Sequence, residues 1–365
     1  MTGVADAMIV AGGAGTRLRP LTDTTPKPLL AFCGEPFLAG VLRRLVPVGV
    51  ERVWLVVGAD PSPFTVLDPV AAELGLELIA VPEPAPLDTA GGVRSVIDRC
   101  PGSVLVLNGD VLTDLDLAEV VQHHDAARAD ATLVLTRVED TSAFGVCVLD
   151  GTRVTGFVEK PAPGTLPGQD TVNAGTYVLA PGVLDRFEVG RLSFEREVFP
   201  TLVAEGARVE GLVSDAVWAD LGTPERYLDG HRKALRGELA WPAGPGTEPD
   251  ADGVRRGTHV EVHEDAEVVG PVLLCDGARV AARARVGPDV VVGARAVIGP
   301  DAAVRDTVLG AEVVVGADAQ VTACATGPGA RIAVGSAVEG PALIADGAVV
   351  DATHPAAAGA GDAPW

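Results

Sequence analysis

Residues 262–304, VHEDAEVVGPVLLCDGARVAARARVGPDVVVGARAVIGPDAAV, repeat themselves every six positions. Val262, Val268, Leu274, Val280, Val286, Val292, Ile298 and Val304 carry the period. Four residues after each comes a small or β-branched residue: Ala266, Val272, Ala278, Ala284, Val290, Ala296, Ala302 and Val308. After a one-residue slip the period continues at Leu309, Val315 and Val321, and again at Ile332, Val338, Ile344 and Val350. A helix repeats near 3.6 residues and a flat strand at 2, so neither accounts for six. A left-handed parallel β-helix does, because three hexads close one triangular coil. The aliphatic residue fills the corner of the prism and the small one tolerates its tight interior. About five coils fit residues 258–353.

Working upstream, residues 237–257 (GELAWPAGPGTEPDADGVRRG) are rich in Pro, Gly and Asp without periodicity and read as a linker. Downstream, residues 354–365 read as a disordered tail. Residues 1–236 carry a different pattern. The apolar runs Met8–Val10, Val53–Val57 and Val104–Leu107, each bounded by Gly or Asp, read as buried strands. Leu38, Val41, Leu42 and Leu45 fall at helical spacing between the first two, and Val93, Val96 and Ile97 mark another helix. This alternation predicts an α/β, Rossmann-like domain with a mostly parallel sheet. Val146–Leu149 and Val154–Val158 flank Asp150-Gly151 as a hairpin, so the sheet is mixed. Thr223-Pro224 supplies an N-cap and a first-turn proline for a last helix reaching Arg236.

Composition narrows the function. A chain of 365 residues holds roughly two domains. No apolar run approaches the ~20 residues of a membrane span, and the first residues have no basic signal-peptide region, so a cytoplasmic protein is expected. Cys33, Cys100, Cys147, Cys275 and Cys324 are scattered and never spaced as a metal ribbon or disulfide framework. A formal charge of −22 argues against nucleic acid as a partner, and an anionic substrate needs local cations or a metal. Only three of the 28 basic residues are lysines, and Lys27 and Lys160 both sit in short Lys-Pro contexts.

Directly after the first strand comes Ala11-Gly12-Gly13-Ala14-Gly15-Thr16-Arg17. Glycines at such a turn let backbone N–H groups approach phosphates. The loop is not a Walker A loop, since no Gly-Lys-Ser/Thr follows, nor a dinucleotide fingerprint, since Leu18 stands where a third glycine belongs. Arg17 within it and Lys27 ten residues on add two cations suited to a triphosphate.

The stretch GGAGTRLRPLTDTTPKPLL resembles the signature of the sugar-1-phosphate nucleotidyltransferases, and AFCGEPFL resembles their mannose-1-phosphate guanylyltransferase branch. The likeness continues in order through residues 86–92 (PLDTAGG), 108–111 (NGDV), 157–161 (FVEKP), 172–175 (VNAG), 195–200 and 218–224 (WADLGTP), and a C-terminal β-helix also occurs in that branch. It implies that a nucleoside triphosphate, GTP for preference, joins a sugar-1-phosphate, mannose-1-phosphate for preference, with release of pyrophosphate. Both partners are anions, so catalysis means positioning and charge neutralisation. Arg17 is then expected at the β- and γ-phosphates, Lys27 at the α-phosphate and Lys160 at the sugar phosphate. Ala11, Gly12, Gly13, Gly15 and Thr16 would cradle the nucleotide. Thr89, Gly91 and Gly92 would form the base pocket, with Glu83 accepting from guanine N1–H and N2–H₂. Gly109, Glu159 and Asn173 would meet the sugar phosphate and its hydroxyls. Asp110 and Asp220, each at a strand end, would hold Mg²⁺, a hard cation that prefers oxygen.

Asp88 departs from the pattern, since relatives commonly carry Gly there, and it adds a negative charge beside the nucleotide pocket. His123 and His124 read as solvated on a polar helix. With no histidine inside the regular hexads beyond His263, an added acyltransferase activity is not expected. Three other readings follow from the same residues: the same chemistry on a heptose-1-phosphate or a cyclitol phosphate such as valienol-1-phosphate, or with another triphosphate; a non-catalytic nucleotide-sugar-binding regulator; and a β-helix acting as the platform for a homo-oligomer, dimeric or higher.

Overall fold

The computed structural model describes residues 4–162, 164–166, 168–242 and 248–351. The tail expected to be disordered lies outside them. Compactness groups residues up to Gly13 with Val41–Trp218, and Ala14–Gly40 with the chain from Ala219 onward.

The first unit is built on nine strands: β1 (Asp6–Val10), β2 (Arg52–Val57), β3 (Glu77–Pro82), β4 (Val104–Asn108), β5 (Ala131–Arg137), β6 (Gly145–Asp150), β7 (Arg153–Glu159), β8 (Thr171–Leu179) and β9 (Val209–Val213). Their order in one sheet is β3-β2-β1-β4-β8-β5-β9-β7-β6. β3, β2, β1 and β4 run parallel. β8 runs antiparallel to β4 and β5, and β6 and β7 form the expected hairpin, with Asp150 opposite Arg153. β2 and β3 extend the sheet on one side of β1, and the chain then returns to β4 on the other. The β1–β4 pair is therefore the topological switch point, where open α/β sheets bind ligands beyond the strands' carboxyl ends.

The helices follow the apolar spacing: α1 (Phe37–Leu45), α2 (Asp68–Leu74), α3 (Asp88–Val96), α4 (Leu117–Ala127), α5 (Phe199–Ala204) and α6 (Pro224–Arg236). Met8, Val56, Val93, Val106, Tyr177, Phe194 and Phe199 belong to the buried core of the first unit. The reading of His124 is corrected here. Leu117, Val120, Val121 and His124 form one buried stripe of α4 at the i, i+3, i+4, i+7 spacing. His124 is 3% exposed, and its Nδ1 lies 3.0 Å from Thr132 Oγ1. His123 is half-buried, with its Nε2 enclosed. His124 is therefore not solvated, and His123 is only partly so.

In the second unit the hexads form a parallel β-helix. Val262 pairs with Val280, Val280 with Ile298, Ile298 with Val315, Val315 with Ile332 and Ile332 with Val350. The step per coil is therefore 18 residues, or 17 where a hexad is one residue short. The first paired strand is Val254–Arg256, inside the stretch read as linker. Leu274, Ala278, Val280, Ala284, Val286, Val292, Ala296 and Ile298 are all buried in one core. Val262, in the first coil, is 36% exposed. Non-glycine residues in the left-handed region recur at the six-residue step at Arg283, Asp289, Arg295 and Asp301 and, after the one-residue slip, at Asp306, Glu312 and Asp318.

The second unit also holds the signature loop and α6. Thr223 caps α6, its Oγ1 accepting from Arg226 N at 3.3 Å. Tyr227, Leu228 and Leu235 of α6 share an apolar cluster with Leu18, Leu21 and Leu30 of the loop and with Leu273, Val291 and Val308 of the β-helix. Two bidentate pairs, Arg232–Asp306 and Arg236–Asp289, fix the register. Among the described residues no helix is long and apolar enough to cross a membrane.

Candidate active site

The carboxyl ends of β1 and β4 place several expected residues side by side. Gly109 N donates to Val10 O at 2.8 Å, and a Cβ on Gly109 would stand 2.9 Å from that same oxygen. Only a glycine lets the two strand ends close in this way. Ala11 N donates to Val56 O at 2.7 Å, so Ala11 prolongs the sheet and has no amide left for a phosphate. Gly12 and Gly13 are exposed beyond it. Asp110 is half-buried immediately after β4.

Glu83 lies beneath this loop. It follows β3, is only 8% exposed, and its Oε2 would be 3.4 Å from a Cβ on Gly12. Gly92 of α3 packs so tightly on Glu83 Oε1 and Val56 that a side chain there would collide with both. Burial pushes the Glu83 pKa up. The amides of Leu87 and Gly92 pull against that shift, as Asp88 adds to it. Those amides favour the carboxylate without closing a hydrogen bond on Oε1, which is enclosed and has no partner.

Gly91 and Thr89 have structural duties in the same helix. A Cβ on Gly91 would meet Gly190 O and Leu87, so this glycine serves packing. Thr89 Oγ1 donates to Glu195 Oε2 at 2.6 Å and accepts from Phe194 N at 2.9 Å, tying α3 to the turn at Phe194–Val198. Asp88 has φ +67°, in the left-handed region that favours glycine. Its carboxylate is neutralised by Arg196 at 2.5 Å and Arg191 at 3.5 Å. The extra charge is thus a paired one.

A second group gathers at the ends of β7 and β8. Glu159 Oε2 is enclosed without a partner. Burial raises the Glu159 pKa, Glu195 raises it further, and Lys160 and Arg196 oppose both. Lys160 follows at φ +46°, its N–H donating to Phe144 O at 2.9 Å, and its side chain is exposed. Asn173 sits where the β8–β5 register shifts. Its Nδ2 donates to Tyr177 Oη at 2.7 Å and its Oδ1 accepts from Gly175 N at 3.0 Å. One N–H and one lone pair remain for a ligand. Sequence reasoning gave Glu195 no role, although the 195–200 segment was part of the signature that pointed to it.

The second unit holds the rest. Gly15 has φ +60°, and a Cβ there would lie 2.9 Å from Lys27 Cβ and 3.1 Å from Thr22 Cγ2. Thr22 Oγ1 donates to Gly15 O at 2.8 Å, so the glycine turn is packed against the stem of Lys27. Thr16 and Arg17 begin a short 3-10 turn, exposed except for buried Leu18. Arg17 Nη2 and Asp220 Oδ1 both converge on Gly222, where any side chain would strike them. Asp220 Oδ1 accepts from Gly222 N at 2.8 Å, and Oδ2 is paired with Arg226. Arg226 was not singled out from sequence. Asp110 and Asp220 offer only carboxylate oxygen, and among the described residues no three His, Cys, Asp or Glu side chains form a metal cluster. Carboxylate oxygen, in either unit taken by itself, suits a hard divalent ion, which takes one or two carboxylates and leaves its other positions to substrate phosphates.

Comparison with known proteins agrees with this chemistry. The nucleotidyl transferase family matches residues 6–237, and the GMPPB C-terminal domain matches residues 268–354. A mannose-1-phosphate guanylyltransferase of Mycobacterium tuberculosis is 40% identical over 287 residues, covering 78% of this chain and 77% of the relative. A probable mannose-1-phosphate guanylyltransferase 2 of Arabidopsis thaliana is 33% identical over 78% of this chain and 75% of its own. The crystal structure of HddC from Yersinia pseudotuberculosis superposes with a TM-score of 0.52 at 25% identity, covering 62% of this chain and 98% of that one. Nucleotidyl transferases of this kind work with a divalent metal. The chain belongs to the nucleotidyl transferase family, as a sugar-1-phosphate nucleotidyltransferase related over most of its length to the mannose-1-phosphate guanylyltransferases.

Proposed function

We propose that the protein is a cytoplasmic, Mg²⁺-dependent guanylyltransferase that joins GTP to mannose-1-phosphate and releases pyrophosphate, with residues 1–236 as catalytic domain and the β-helix of 258–353 as the seat of a homo-oligomer. The observation that carries the base preference is Glu83. It is a carboxylate only 8% exposed, with Oε2 facing Gly12 and Oε1 enclosed without a partner at hydrogen-bond distance. Guanine presents two adjacent donors, N1–H and N2–H₂, whereas adenine presents one donor beside an acceptor. A carboxylate therefore favours guanine, and its donors repay the burial that raises the Glu83 pKa.

The reaction is an in-line displacement. A phosphate oxygen of the sugar phosphate attacks the α-phosphorus of GTP, that P–O bond forms, and the bond to the β-phosphate oxygen breaks. Lys27 neutralises charge growing on the α-phosphate, Arg17 holds the departing β- and γ-phosphates, and Lys160 holds the attacking phosphate. Gly12, Gly13, Gly15 and Thr16 border the nucleotide phosphates. Glu159, Asn173 and Gly109 border the sugar side, where the unpartnered Glu159 Oε2 is an acceptor for a hydroxyl. Asp110 and Asp220 would hold Mg²⁺, which would supply further charge neutralisation on the phosphates.

The test is pyrophosphate release over a matrix of five nucleoside triphosphates against mannose-1-phosphate, a heptose-1-phosphate and a cyclitol-1-phosphate, with Mg²⁺, Mn²⁺ or chelator. A dominant GTP and mannose-1-phosphate signal supports the assignment. Strong GTP use with another acceptor would move the substrate, and no release from any pair would favour a regulator. Sedimentation showing only monomer at micromolar concentration would remove the oligomer.

A further inference from the structure

Within the second unit a cavity of about 200 Å³ lies between the signature loop and the flank of the β-helix. Leu21, Leu29 and Leu30 form its loop wall, and Val291, Val308 and Leu309 its β-helix wall. The polar groups around it are mostly committed. Gly293 N donates to Leu309 O at 2.9 Å, Gly310 N to Thr326 Oγ1 at 2.9 Å and Gly327 N to Ile344 O at 2.8 Å. The Tyr227 hydroxyl donates to Ala31 O. The single charged group on the lining is Asp346, whose Oδ2 accepts from Thr24 Oγ1 at 2.6 Å. A carboxylate has about four acceptor sites, so it can take further donors. No Lys, Arg or His lines the cavity.

This lining decides the kind of occupant. Apolar walls, several spent amides and one carboxylate repel an anion. A nucleotide, a sugar phosphate or pyrophosphate would lose its hydration there and gain no cation in return. The volume exceeds the roughly 150 Å³ that admits a benzene ring, so a bicyclic ring with a short amino arm fits. We propose that the cavity is a binding site for a compact hydrophobic cation, an aromatic ammonium of about a dozen heavy atoms, with the ring between the leucine and valine walls and the ammonium on Asp346.

The position of the site gives it a consequence. Leu29 and Leu30 belong to the turn that Lys27 opens, and Leu30 N donates to Lys27 O at 3.1 Å. Leu21 precedes Thr22, which holds Gly15 O. The cavity wall is thus the back of the loop that carries Arg17 and Lys27. An occupant braces that wall, and through it the setting of Lys27. This second step rests on the proposed role of Lys27 at the α-phosphate; the binding site itself does not.

The experiment uses the full chain and three probes of similar ring size: tryptamine as cation, indole as neutral ring and indole-3-acetate as anion. Isothermal titration is expected to rank tryptamine at least tenfold tighter than indole-3-acetate, with indole between them. Asp346→Asn should bring tryptamine down to the affinity of indole. Ala311→Trp, which fills the cavity from a half-buried lining position, should abolish binding of both, its fold being checked by melting temperature. Saturating tryptamine should change the KM for GTP severalfold in the wild type and not in Ala311→Trp. Absence of tryptamine binding, or binding indifferent to Ala311→Trp, overturns the site. Equal affinity for indole-3-acetate overturns the charge argument, and binding without a kinetic change overturns the coupling to Lys27. A protein that binds tryptamine as expected yet turns over no GTP and mannose-1-phosphate would overturn the proposed function and leave the site standing.

Discussion

The sheet of the first unit, expected to be mostly parallel, joins four neighbouring pairs parallel and four antiparallel, whereas the paired strands of the β-helix all run parallel, and the two regions end differently. In the sheet, strands stop at loops, and polar side chains there are left without partners: Glu83 Oε1 beyond β3 and Glu159 Oε2 at the end of β7. In the β-helix the described strands turn corners and stack coil on coil up to the last pairs, Ala337–Ile344 and Val349–Val350. No buried side-chain N or O atom of its described residues lacks a partner. A buried polar group without a partner costs roughly 1–3 kcal/mol; at the strand ends a ligand can repay that cost, whereas His123 Nε2 in α4 and His231 Nε2 in α6 bear it within helices. The contrast teaches that this molecule keeps its chemistry where its hydrogen bonding is unfinished and its rigidity where it is closed.

The largest effect should come from the sheet. Asp110→Asn is expected to lower kcat by about a thousandfold, in the range of removing one charge-stabilising group, with the fold intact by circular dichroism; unchanged turnover would sink the metal assignment. The converse change belongs to the β-helix. Leu274→Ala deletes a fully buried side chain, and should cost about 3 kcal/mol of stability in denaturant unfolding with kcat per folded molecule unchanged. Loss of kcat in that variant would break the division between the two regions.

Glu83 sharpens the comparison further. Glu83→Gln turns an NH₂ toward guanine's donors and should lower kcat/KM for GTP by about 10- to 100-fold, the worth of one charged hydrogen bond, while narrowing the gap to ATP. Stability should move the other way. The folded pKa of Glu83 lies above its ordinary 4.5, so its contribution is fully present below that value and is lost as pH rises through the folded pKa. The Gln variant, which cannot ionise, should therefore unfold at an equal or higher melting temperature than wild type at pH 7. A lower one would mean that the carboxylate is already satisfied. The smallest effect is expected at the outer corners of the β-helix. Arg283 pairs with Asp301 one coil away, but both are exposed, and Arg283→Ala should leave the melting temperature unchanged within error.

Much of this was legible in the residues. The hexads located the β-helix, because a corner residue must recur at each turn of the coil whatever surrounds it. Even so, the strand Val254–Arg256 passed as linker: it pairs with Val272–Leu274 above it and, at Arg255, with Pro249, and a single strand has no period of its own. His124 was misread because its neighbours in sequence are polar, while its neighbours in α4 one turn back, Val120 and Val121, are apolar.

The site divides in the same way. Local chain chemistry marked Gly15, Arg17, Lys27, Asp110, Lys160 and Asp220, since a tight turn, a strand end or a cation beside a glycine loop is set by residues close in sequence. Contacts between distant segments settled the rest. Sequence alone left Asp88 an unexplained charge, and Arg196, 108 positions away, neutralises it. It could not reveal that Thr89 is spent on Glu195, or that Arg226 holds Asp220. Nor could it locate the cavity between Leu29 and Val308. Periodicity and turn chemistry are short-range and are written along the chain. Charge pairing, burial and empty volume depend on which distant side chains meet, and only the folded molecule brings them together.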